Sequence, residues 1–506
     1  MTDACYKPSV LCISGVDPMG LSGYQADLRA LQSMGVHGMC VITALTSQTC
    51  DSVIALNPTP IQIFKQQLDA VYQQGSIKVI KLGLIASWQQ CEVLIQHPIM
   101  DDVKVILDPV IAATHGDFSS KQERLKILKA LLPCCHLVTP NLEEAQLLAP
   151  QVHPSSIELL AKSLLAQGTH GVLIKGGHSN EPEVDYFCQS TQGINQSFYL
   201  KGKLVDHHFN RGTGCTLASL IAASLAFDLT LEDSVVVAKM QLMNAWQHPF
   251  SIDGKHGSLI LPKWTEADYA LPKVFHSFST SDNHALNITD LEHIQLPACD
   301  KDLGLYPIVD RADWLARLLP LGIRIIQLRI KDLTGKALEH EIATAVALSE
   351  KYNACLFIND YWQLAIKYKA YGVHLGQEDL TSANLKQIAQ SNLRLGLSSH
   401  CYFEVARAMT IKPSYLAYGP IYSTQTKQMP WQPQGLKQLD FWRRQLPHVP
   451  MVAIGGIHGE RVAQVKQTGV DAIAMISAIT QADNPEQISQ DYQAIIEPRQ
   501  IVLDRA

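Results

Sequence analysis

The sequence predicts two α/β domains in one chain: an αβα sandwich in the N-terminal half, joined by a linker to a C-terminal (β/α)8 TIM barrel. Short apolar runs alternate with helix-length segments in both halves, which is typical of βα units around a parallel sheet. Eight such runs lie between Leu305 and Ala478, and eight βα units in under about 200 residues fit a small closed barrel. A chain of 506 residues also exceeds the size of about 250–300 residues at which single cores stop growing.

Six strands and five helices are predicted in the N-terminal half. Their continuous apolar strands indicate a sheet that is covered on both faces. Residues 186–209 alternate more weakly and predict an antiparallel hairpin at the sheet edge. The predicted strands are Val10–Gly15, Cys40–Ala44, Val79–Leu84, Val105–Val110, His136–Thr139 and Gly171–Lys175. The predicted helices are Tyr24–Met34, Pro60–Gln74, Lys121–Leu132, Ser156–Ala166 and Cys215–Ala226.

Residues 264–302 are rich in Ser, Asp, Asn and His and have few long apolar runs. We therefore expect a linker here, between domains at 1–263 and 303–506. Most of the eight strands predicted after it end in polar residues, where a barrel of this type builds its active site. They are Leu305–Asp310, Arg324–Lys331, Cys355–Asp360, Gly372–Gln377, Leu393–His400, Tyr415–Ile421, Met451–Gly456 and Ala472–Ala478.

Composition excludes several classes of protein. The hydrophobic fraction of 47% and the charged fraction of 17% are those of a soluble globular protein. A net charge of −6 gives no electrostatic support to a nucleic-acid partner. Neither a long apolar span nor a signal peptide is recognisable, so we expect a cytoplasmic protein with no membrane partner. The 12 cysteines form no Cys-x-x-Cys pair, which favours reduced thiols over disulfides or a zinc motif.

A glycine-rich segment precedes a helix of small residues in the N-terminal half. After Arg211 come Gly212, Thr213, Gly214 and Cys215. Glycines before a helix let backbone N–H groups converge on an anion, and the helix N-terminus adds about half a positive charge. The alternative is a glycine-rich turn with a buried cysteine.

Other polar groups follow the predicted strands of this half. Because ligands of open α/β sheets bind beyond the carboxyl ends of strands, we expect these groups to converge. Asn141 and Glu144 taken alone are equally typical of a helix cap with a first-turn acid. Asp17, before Pro18, is equally typical of a turn. The groups include Asp17, Gln48, Asp108, Asn141, Glu144 and Lys175.

Together these motifs resemble the hydroxymethylpyrimidine and phosphomethylpyrimidine kinases of thiamine synthesis, in the ribokinase superfamily, over about residues 8–262. The resemblance implies a ribokinase-like αβα sandwich. The resemblance implies ATP as co-substrate, Mg²⁺ as cofactor, and phosphorylation first of hydroxymethylpyrimidine and then of its monophosphate. It also implies roles for single residues. Gln48 would hydrogen-bond the pyrimidine, Gly212, Thr213 and Gly214 would form the anion hole, Cys215 would be the base, Asn141 and Glu144 would order the metal and its water, and Lys175 would lie near the nucleotide.

A helix N-terminus lowers the pKa of a cysteine, so we expect Cys215 to accept the proton of the substrate hydroxyl. The chain departs from the family pattern at Met19, Leu21, His115 and Arg211. Two alternatives stay open for this half: a pyrimidine-binding or regulatory module, and a salvage kinase for pyridoxal or a related vitamin.

In the C-terminal half, alternation puts Gln327, Arg329 and Lys331 on one face of a strand. Arginine supplies a bidentate fork for a diphosphate and lysine a point charge. Asp360 and Asp379 follow neighbouring strands and suit a Mg²⁺ held by one or two carboxylates and a substrate diphosphate. Either aspartate alone would be an ordinary N-cap.

This half resembles thiamine-phosphate synthase from about residue 303 to 498, in segments such as QLRIKD, HLGQED and GPIYSTQTKQMP. The resemblance implies joining of hydroxymethylpyrimidine diphosphate to thiazole phosphate, with release of diphosphate. It implies a metal at Asp360 and Asp379, and stabilisation of the leaving diphosphate by Arg329, Lys331 and Lys427. It implies that Gln327, Asn359 and Ser398 bind the pyrimidine diphosphate. It implies that Thr424, Thr426, Gly456, Ile476 and Ser477 bind the thiazole phosphate, and that Leu328, Ile330 and Gln425 also bind substrate. His374 and His400 are expected to be structural.

The sequence therefore predicts a bifunctional enzyme of thiamine biosynthesis. Its expected partners are small molecules: hydroxymethylpyrimidine, its phosphates, thiazole phosphate and ATP. A homo-oligomer is compatible with the sequence.

Overall fold

The computed structural model describes most of the chain: residues 7–75, 77–111, 121–153, 156–176, 183–191, 194–203, 209–264, 266–276, 291, 293–300, 303–423 and 432–497. These residues form two compact units, which divide between His276 and Ser277. That division lies inside the segment predicted as a linker. Among the described residues, no helix has the length and apolar character needed to cross a bilayer.

The first unit contains a ten-stranded sheet in the order β12-β9-β8-β7-β6-β5-β4-β1-β2-β3. Neighbours from β7 to β2 are parallel, and the remaining pairs are antiparallel. The strands are β1 (Ser9–Val16), β2 (His37–Gln48), β3 (Val53–Pro58), β4 (Val79–Leu82), β5 (Lys104–Leu107), β6 (Leu137–Val138), β7 (Gly171–Ile174), β8 (Val184–Thr191), β9 (Ile194–Lys201) and β12 (Lys273–Phe275), and a separate hairpin joins β10 (Pro249–Ser251) to β11 (Gly257–Leu259).

Helices complete the first unit: α1 (Gly23–Ser33), α2 (Ile61–Gln74), α3 (Trp88–Gln96), α4 (Lys121–Leu131), α5 (Leu142–Leu148), α6 (Ile157–Leu165), α7 (Thr213–Ala226) and α8 (Leu231–Ala245). The small side chains of α7 let it pack closely between α1 and α8. The predicted sandwich and its edge hairpin are confirmed. The prediction missed β3, α3, α5, α8, the β10–β11 hairpin and β12, which pairs with β9 on the outer side of the β8–β9 hairpin.

The second unit is a closed barrel of eight parallel strands in chain order, as predicted. The strands are β13 (Gly304–Val309), β14 (Ile325–Leu328), β15 (Cys355–Asn359), β16 (Gly372–Leu375), β17 (Arg394–Ser399), β18 (Tyr415–Tyr418), β19 (Met451–Ile454) and β20 (Ala472–Met475). The helices are α9 (Ala312–Leu318), α10 (Gly335–Lys351), α11 (Trp362–Lys367), α12 (Leu385–Gln390), α13 (Tyr402–Ile411), α14 (Gly435–Gln445), α15 (Arg461–Lys466), α16 (Ser477–Thr480) and α17 (Pro485–Ile496).

Most of these strands end before the polar residues that were predicted to close them. β14 ends at Leu328, so Arg329 and Lys331 lie in the following loop. The barrel interior is packed by apolar and aromatic side chains, including Tyr306, Phe357 and Tyr415. Residues 293–300 lie against this barrel, where the Ser414 hydroxyl donates to the Pro297 carbonyl at 2.7 Å.

Candidate active sites

In the first unit, the predicted anion loop lies at the N-terminus of α7. Gly212 has a left-handed φ of +76°, and a Cβ there would lie 2.1 Å from the Leu21 carbonyl oxygen. Only glycine permits this approach of the two segments. A Cβ on Gly214 would lie 3.2 Å from Lys175 Nζ and 3.7 Å from both Asp108 carboxylate oxygens. The structure therefore brings the loop together with the ends of β5 and β7.

A buried charge cluster faces this loop. Lys175 Nζ lies 3.1 Å from Asp108 Oδ1, and both side chains are largely buried. Burial opposes ionisation of Asp108, but the Lys175 and Lys81 ammonium groups lower the pKa of this carboxyl below its ordinary value. Burial raises the pKa of Glu144 to about 7, with the Asp108 charge adding and Lys175 opposing. One extra cation would therefore be stabilised here.

Asn141 and Glu144 form a capping box at the start of α5. The Asn141 side chain accepts from the Glu144 N–H at 2.8 Å, and the Glu144 carboxylate accepts from the Asn141 N–H at 2.8 Å. The helix-cap interpretation of these residues is confirmed. The same cap holds the Glu144 carboxylate near Lys175 and Asp108, so Glu144 is also part of the charge cluster.

Cys215 lies in the first turn of α7, two residues after Thr213. Its environment corrects the expected acidity. Burial raises the pKa of the Cys215 thiol to about 12; the Lys81 charge opposes this, and the Asp108 and Asp27 carboxylates add to it. The expectation of a lowered pKa is wrong, because burial and two carboxylates outweigh the helix N-terminus.

A fully buried ion pair lies behind the loop. Lys81 Nζ lies 2.8 Å from Asp27 Oδ1, and neither side chain is exposed. Ser219, on α7, donates its hydroxyl to the same oxygen at 2.8 Å. The assignment from sequence missed Lys81 and Asp27; it expected Asp108 to converge with the other strand-end groups but gave it no role. The lysine inside the apolar strand Val79–Leu82 was the one sequence signal that could have indicated a buried ion pair.

Gln48 ends β2 and is buried. Its side chain hydrogen-bonds Asp17, whose carboxylate also accepts from the N–H of Met19 and from the N–H and hydroxyl of Ser22, at 2.8–2.9 Å. Burial by itself raises the pKa of the Asp17 carboxyl. The hydrogen bonds and the Arg211 charge outweigh burial, so the pKa lies below its ordinary value. Asp17 thus fixes the turn that approaches Gly212, as the turn interpretation predicted.

In the second unit, three predicted residues meet at the barrel mouth. Lys331 Nζ forms an ion pair with Asp360 Oδ2. Asp360 has a left-handed φ of +65°. Asp379 accepts the Gly376 N–H at 2.9 Å. Burial raises the pKa of the Asp379 carboxyl; the Asp360 charge adds to this and Lys331 opposes it.

Arg329 and Ile476 line one cavity of about 370 Å³, together with Asp310, Trp314 and Thr480. Two residues assigned to substrate binding, Leu328 and Ile330, are each only 1% exposed. They are packed in the core, and their neighbours Arg329 and Lys331 carry the polar groups of this segment.

A chain of hydrogen bonds crosses the barrel interior beneath this mouth. Gln327 donates to the Tyr306 hydroxyl at 3.3 Å, which lies 2.9 Å from the Tyr415 hydroxyl. His374 Nδ1 lies 2.7 Å from that hydroxyl, and His374 Nε2 lies 2.8 Å from Ser398 Oγ. Burial lowers the pKa of His374 to about 4, so the imidazole is neutral at pH 7.

These hydrogen bonds connect Gln327 to Ser398, and the sequence assigned both residues to one substrate. The connection runs through Tyr306 and Tyr415, which the sequence analysis missed, and through His374. Side chains of successive residues in β13 point alternately into and out of the barrel. Tyr306 points inward, and a tyrosine at an inward position was the signal that could have identified it. Asn359, the last residue of β15, is buried beside the same mouth. His400 forms a hydrogen bond with Glu404, in the first turn of α13. This contact agrees with the structural role expected of His400.

The loops after β18 and β19 pack tightly against each other. Gly456 has φ +65°, and a Cβ there would lie 2.5 Å from the Ser423 carbonyl oxygen. Ser477 begins the short helix α16, immediately after Ile476. The predicted residues Thr424, Gln425, Thr426 and Lys427, like His115 in the first unit, lie outside the described residues.

Comparison with known proteins agrees with this division. Residues 17–260 match the family described as phosphomethylpyrimidine kinase, and residues 305–479 match thiamine monophosphate synthase. The second unit is 56% identical over 186 residues to a thiamine-phosphate synthase of Serratia proteamaculans, covering 37% of this chain and 88% of that protein. The chain belongs to the thiamine-phosphate synthase family. It is a fusion in which the synthase domain follows a phosphomethylpyrimidine kinase domain.

Solved structures similar to the kinase domain include a phosphomethylpyrimidine kinase from Clostridium difficile 630, with 27% identity, a TM-score of 0.40, and coverage of 46% of this chain and 96% of that one. A pyridoxal kinase from Staphylococcus aureus, in complex with AMP-PCP and pyridoxal, has 22% identity, a TM-score of 0.48, and coverage of 54% and 100%.

Proposed function

We propose that the kinase domain phosphorylates hydroxymethylpyrimidine and then its monophosphate with ATP, and that the synthase domain joins the resulting diphosphate to thiazole phosphate. The observation that carries the proposal is the set of cationic and acidic groups at the synthase mouth, above a floor of neutral hydrogen-bonded side chains. Lys331, Asp360 and Asp379 meet there. A diphosphate needs the charges, and an uncharged pyrimidine needs the neutral floor.

In the synthase domain, Arg329 and Lys331 would hold the leaving diphosphate, where negative charge develops. The neutral His374 ring would keep the Ser398 hydroxyl oriented, since both of its nitrogens are hydrogen-bonded. Departure of a diphosphate and attack by a ring nitrogen require no general base, so a catalytic histidine is not needed.

The carboxylates of Asp360 and Asp379 fit a magnesium ion, because the Asp360 charge contributes to the raised pKa of Asp379 and a dication would relieve this repulsion. In the kinase domain, Glu144 and Asn141 would order a metal with its water, for the same electrostatic reason. When bound, Mg²⁺ supplies positive charge that neutralises the phosphate oxygens.

In the kinase domain, the N–H groups of Gly212, Thr213 and Gly214 would receive the transferring phosphoryl group at the start of α7. Lys175 lies next to this loop and would bind nucleotide phosphate. Gln48 would orient the pyrimidine. With a thiol pKa of about 12, Cys215 would act as a base only from its small thiolate fraction.

The test is an assay of the whole protein with hydroxymethylpyrimidine, ATP, Mg²⁺ and thiazole phosphate. We expect thiamine phosphate, and expect kcat/KM for hydroxymethylpyrimidine to exceed that for pyridoxal. Product formed only from added hydroxymethylpyrimidine diphosphate would reject the kinase half. A higher kcat/KM for pyridoxal would reject the proposed substrate.

A further inference from the structure

A group of metal-ligating side chains lies in the first unit, apart from the residues assigned above. Cys50 lies in the turn between β2 and β3, and Asp253 and His256 lie in the turn between β10 and β11. The Cys50 sulfur, a carboxylate oxygen of Asp253 and a ring nitrogen of His256 all lie within 4.8 Å of one another. In the described part of the chain, this is the one group of three side chains with such spacing.

The histidine of this group is held on both sides. His256 Nδ1 lies 2.6 Å from Asp253 Oδ2, and His256 Nε2 lies 2.9 Å from Asp51 Oδ1. Metal-bound histidines usually donate the second ring N–H to a carboxylate, which fixes the tautomer and the ring orientation. Asp51 is placed to be that carboxylate while Nδ1 faces Asp253.

The β10–β11 turn also fixes Asp253 before any ion binds. Its Oδ1 accepts the backbone N–H groups of Lys255 at 2.9 Å and of His256 at 2.7 Å. Its Oδ2 is therefore directed at the His256 ring. Two of the three ligands are thus positioned by one short turn, and Cys50 approaches from a different part of the chain.

Zinc bonds of about 2.0–2.3 Å put tetrahedral ligand atoms about 3–4 Å apart, so a small contraction would bring these three atoms to bonding distance. Thiolate, imidazole and carboxylate are the groups that bind Zn²⁺, and the soft thiolate disfavours Mg²⁺. We propose that Cys50, Asp253 and His256 bind a zinc-type divalent transition metal, with Asp51 orienting the histidine and water as the fourth ligand.

The charges around the group favour a cation. The Asp51, Asp253 and Asp17 carboxylates all act on Cys50, and only the Arg211 guanidinium opposes them. Arg211 is in direct contact with the group, because its Nη1 donates to the Cys50 carbonyl.

The site also has a structural consequence for the residue before the anion loop. Arg211 donates to Cys50 on one side, and its own carbonyl accepts from the Ser258 hydroxyl at 2.7 Å on the other. A metal that bridges the two turns would therefore fix the position of Arg211, the residue that immediately precedes the anion loop. This consequence rests on the proposed kinase activity, whereas metal binding does not.

The test measures zinc bound to the whole protein. Chelator-stripped protein is dialysed against Zn²⁺ with saturating Mg²⁺, so that sites for hard cations are filled, and zinc per chain is determined by atomic emission. We expect one zinc per chain, and at least about tenfold weaker binding in the Cys50→Ser and His256→Gln variants. Replacing Zn²⁺ with Co²⁺ should give a thiolate-to-cobalt absorption band that Cys50→Ser removes.

Two matched controls should keep the metal. Cys134→Ser changes another half-buried cysteine of the same unit, and His97→Gln changes another histidine, 3.1 Å from the Asp69 carboxylate. Absence of zinc from the stripped and reloaded wild-type protein would overturn the proposal, and so would equal binding in wild type and Cys50→Ser. Circular dichroism reports whether each variant folds; if His256→Gln does not, Cys50→Ser decides.

Discussion

The two candidate sites of this chain handle charge in opposite ways. In the kinase domain, Lys81 and Asp27 are completely buried and already paired, and Lys175 and Asp108 nearly so. In the synthase domain, Lys331 is 53% exposed and Asp360 is 24% exposed, and the groups buried below them are neutral. Buried ion pairs become costly when one partner is removed, whereas exposed ones contribute little to folding.

This difference predicts how each site tolerates substitution. The charges of the synthase mouth should be removable with loss of activity and little loss of stability. The charges behind the kinase loop should be needed for the fold as well as for the reaction.

The largest effect is expected at the synthase mouth. Asp360→Asn removes the carboxylate charge that pairs with Lys331, and asparagine tolerates the left-handed φ of +65° at this position. It should lower the rate of thiamine phosphate formation by about 10³-fold and leave the kinase rate unchanged. Both rates can be measured on one preparation, with Asp440→Asn, an exposed aspartate on α14, as the control. Loss of both activities would argue against independent sites.

Asp27→Asn tests the buried pair. It leaves Lys81 charged and without its partner, so the free energy of unfolding of the first unit should fall by about 3–5 kcal/mol. Hydrogen exchange of the β4 amides, followed by mass spectrometry, measures this unit separately from the other. The control is Asp228→Asn, in an exposed pair with Lys78, with an expected change below about 1 kcal/mol; equal effects of the two variants would refute the contrast.

The pH dependence of stability should differ in sign between the units. Glu144 has a pKa raised to about 7. Its contribution to the free energy of unfolding is therefore complete below the pKa that Glu144 has in the unfolded chain, and is lost as pH rises through 7. His374 has a pKa lowered to about 4, so its contribution is present above its unfolded pKa and is lost as pH falls through 4. Each is at most about 3 kcal/mol, at 1.36 kcal/mol per pKa unit.

Glu144→Gln and His374→Gln, studied by hydrogen exchange between pH 4 and 8, should each flatten the profile of its own unit alone. A Glu144→Gln profile as steep as wild type would show that other groups dominate the first unit, and the same reasoning applies to His374→Gln in the second.

Cys215→Ala tests the proposed base. Kinase kcat should fall by about 10²-fold. The pKa of about 12 lies above the working pH, so a tenfold rise in thiolate accompanies each pH unit. The wild-type rate should therefore increase between pH 7 and 9, and that increase should disappear in the variant. Cys134→Ala is the control, and near-normal turnover of Cys215→Ala would refute the role.

The smallest effect is expected at Gly456. Gly456→Ala places a methyl group against the Ser423 carbonyl, and should raise the KM for thiazole phosphate several-fold, about 1 kcal/mol of binding. Gly459→Ala is a matched control, because Gly459 also has a positive φ of +56° but has no atom within 4 Å of the added Cβ. An unchanged KM in Gly456→Ala would show that the loop relaxes.

The sequence by itself determined the two domains, the barrel, the edge hairpin, and the convergence of Lys331 with Asp360 and Asp379. These follow from apolar periodicity and from the rule that parallel strands present their carboxyl ends at one edge, which are properties of local segments. The strand β12 escaped the prediction because three residues carry too little periodicity to indicate a strand.

Only the tertiary structure decided the protonation of the sites. The position of Cys215 at a helix N-terminus predicted a low pKa, but the pKa depends on Asp108, Asp27 and the burial of the thiol. The partners of Lys81, His374 and Cys50 likewise come from distant segments. Such contacts depend on how elements pack against each other, and the order of residues along a single strand or helix does not specify that packing.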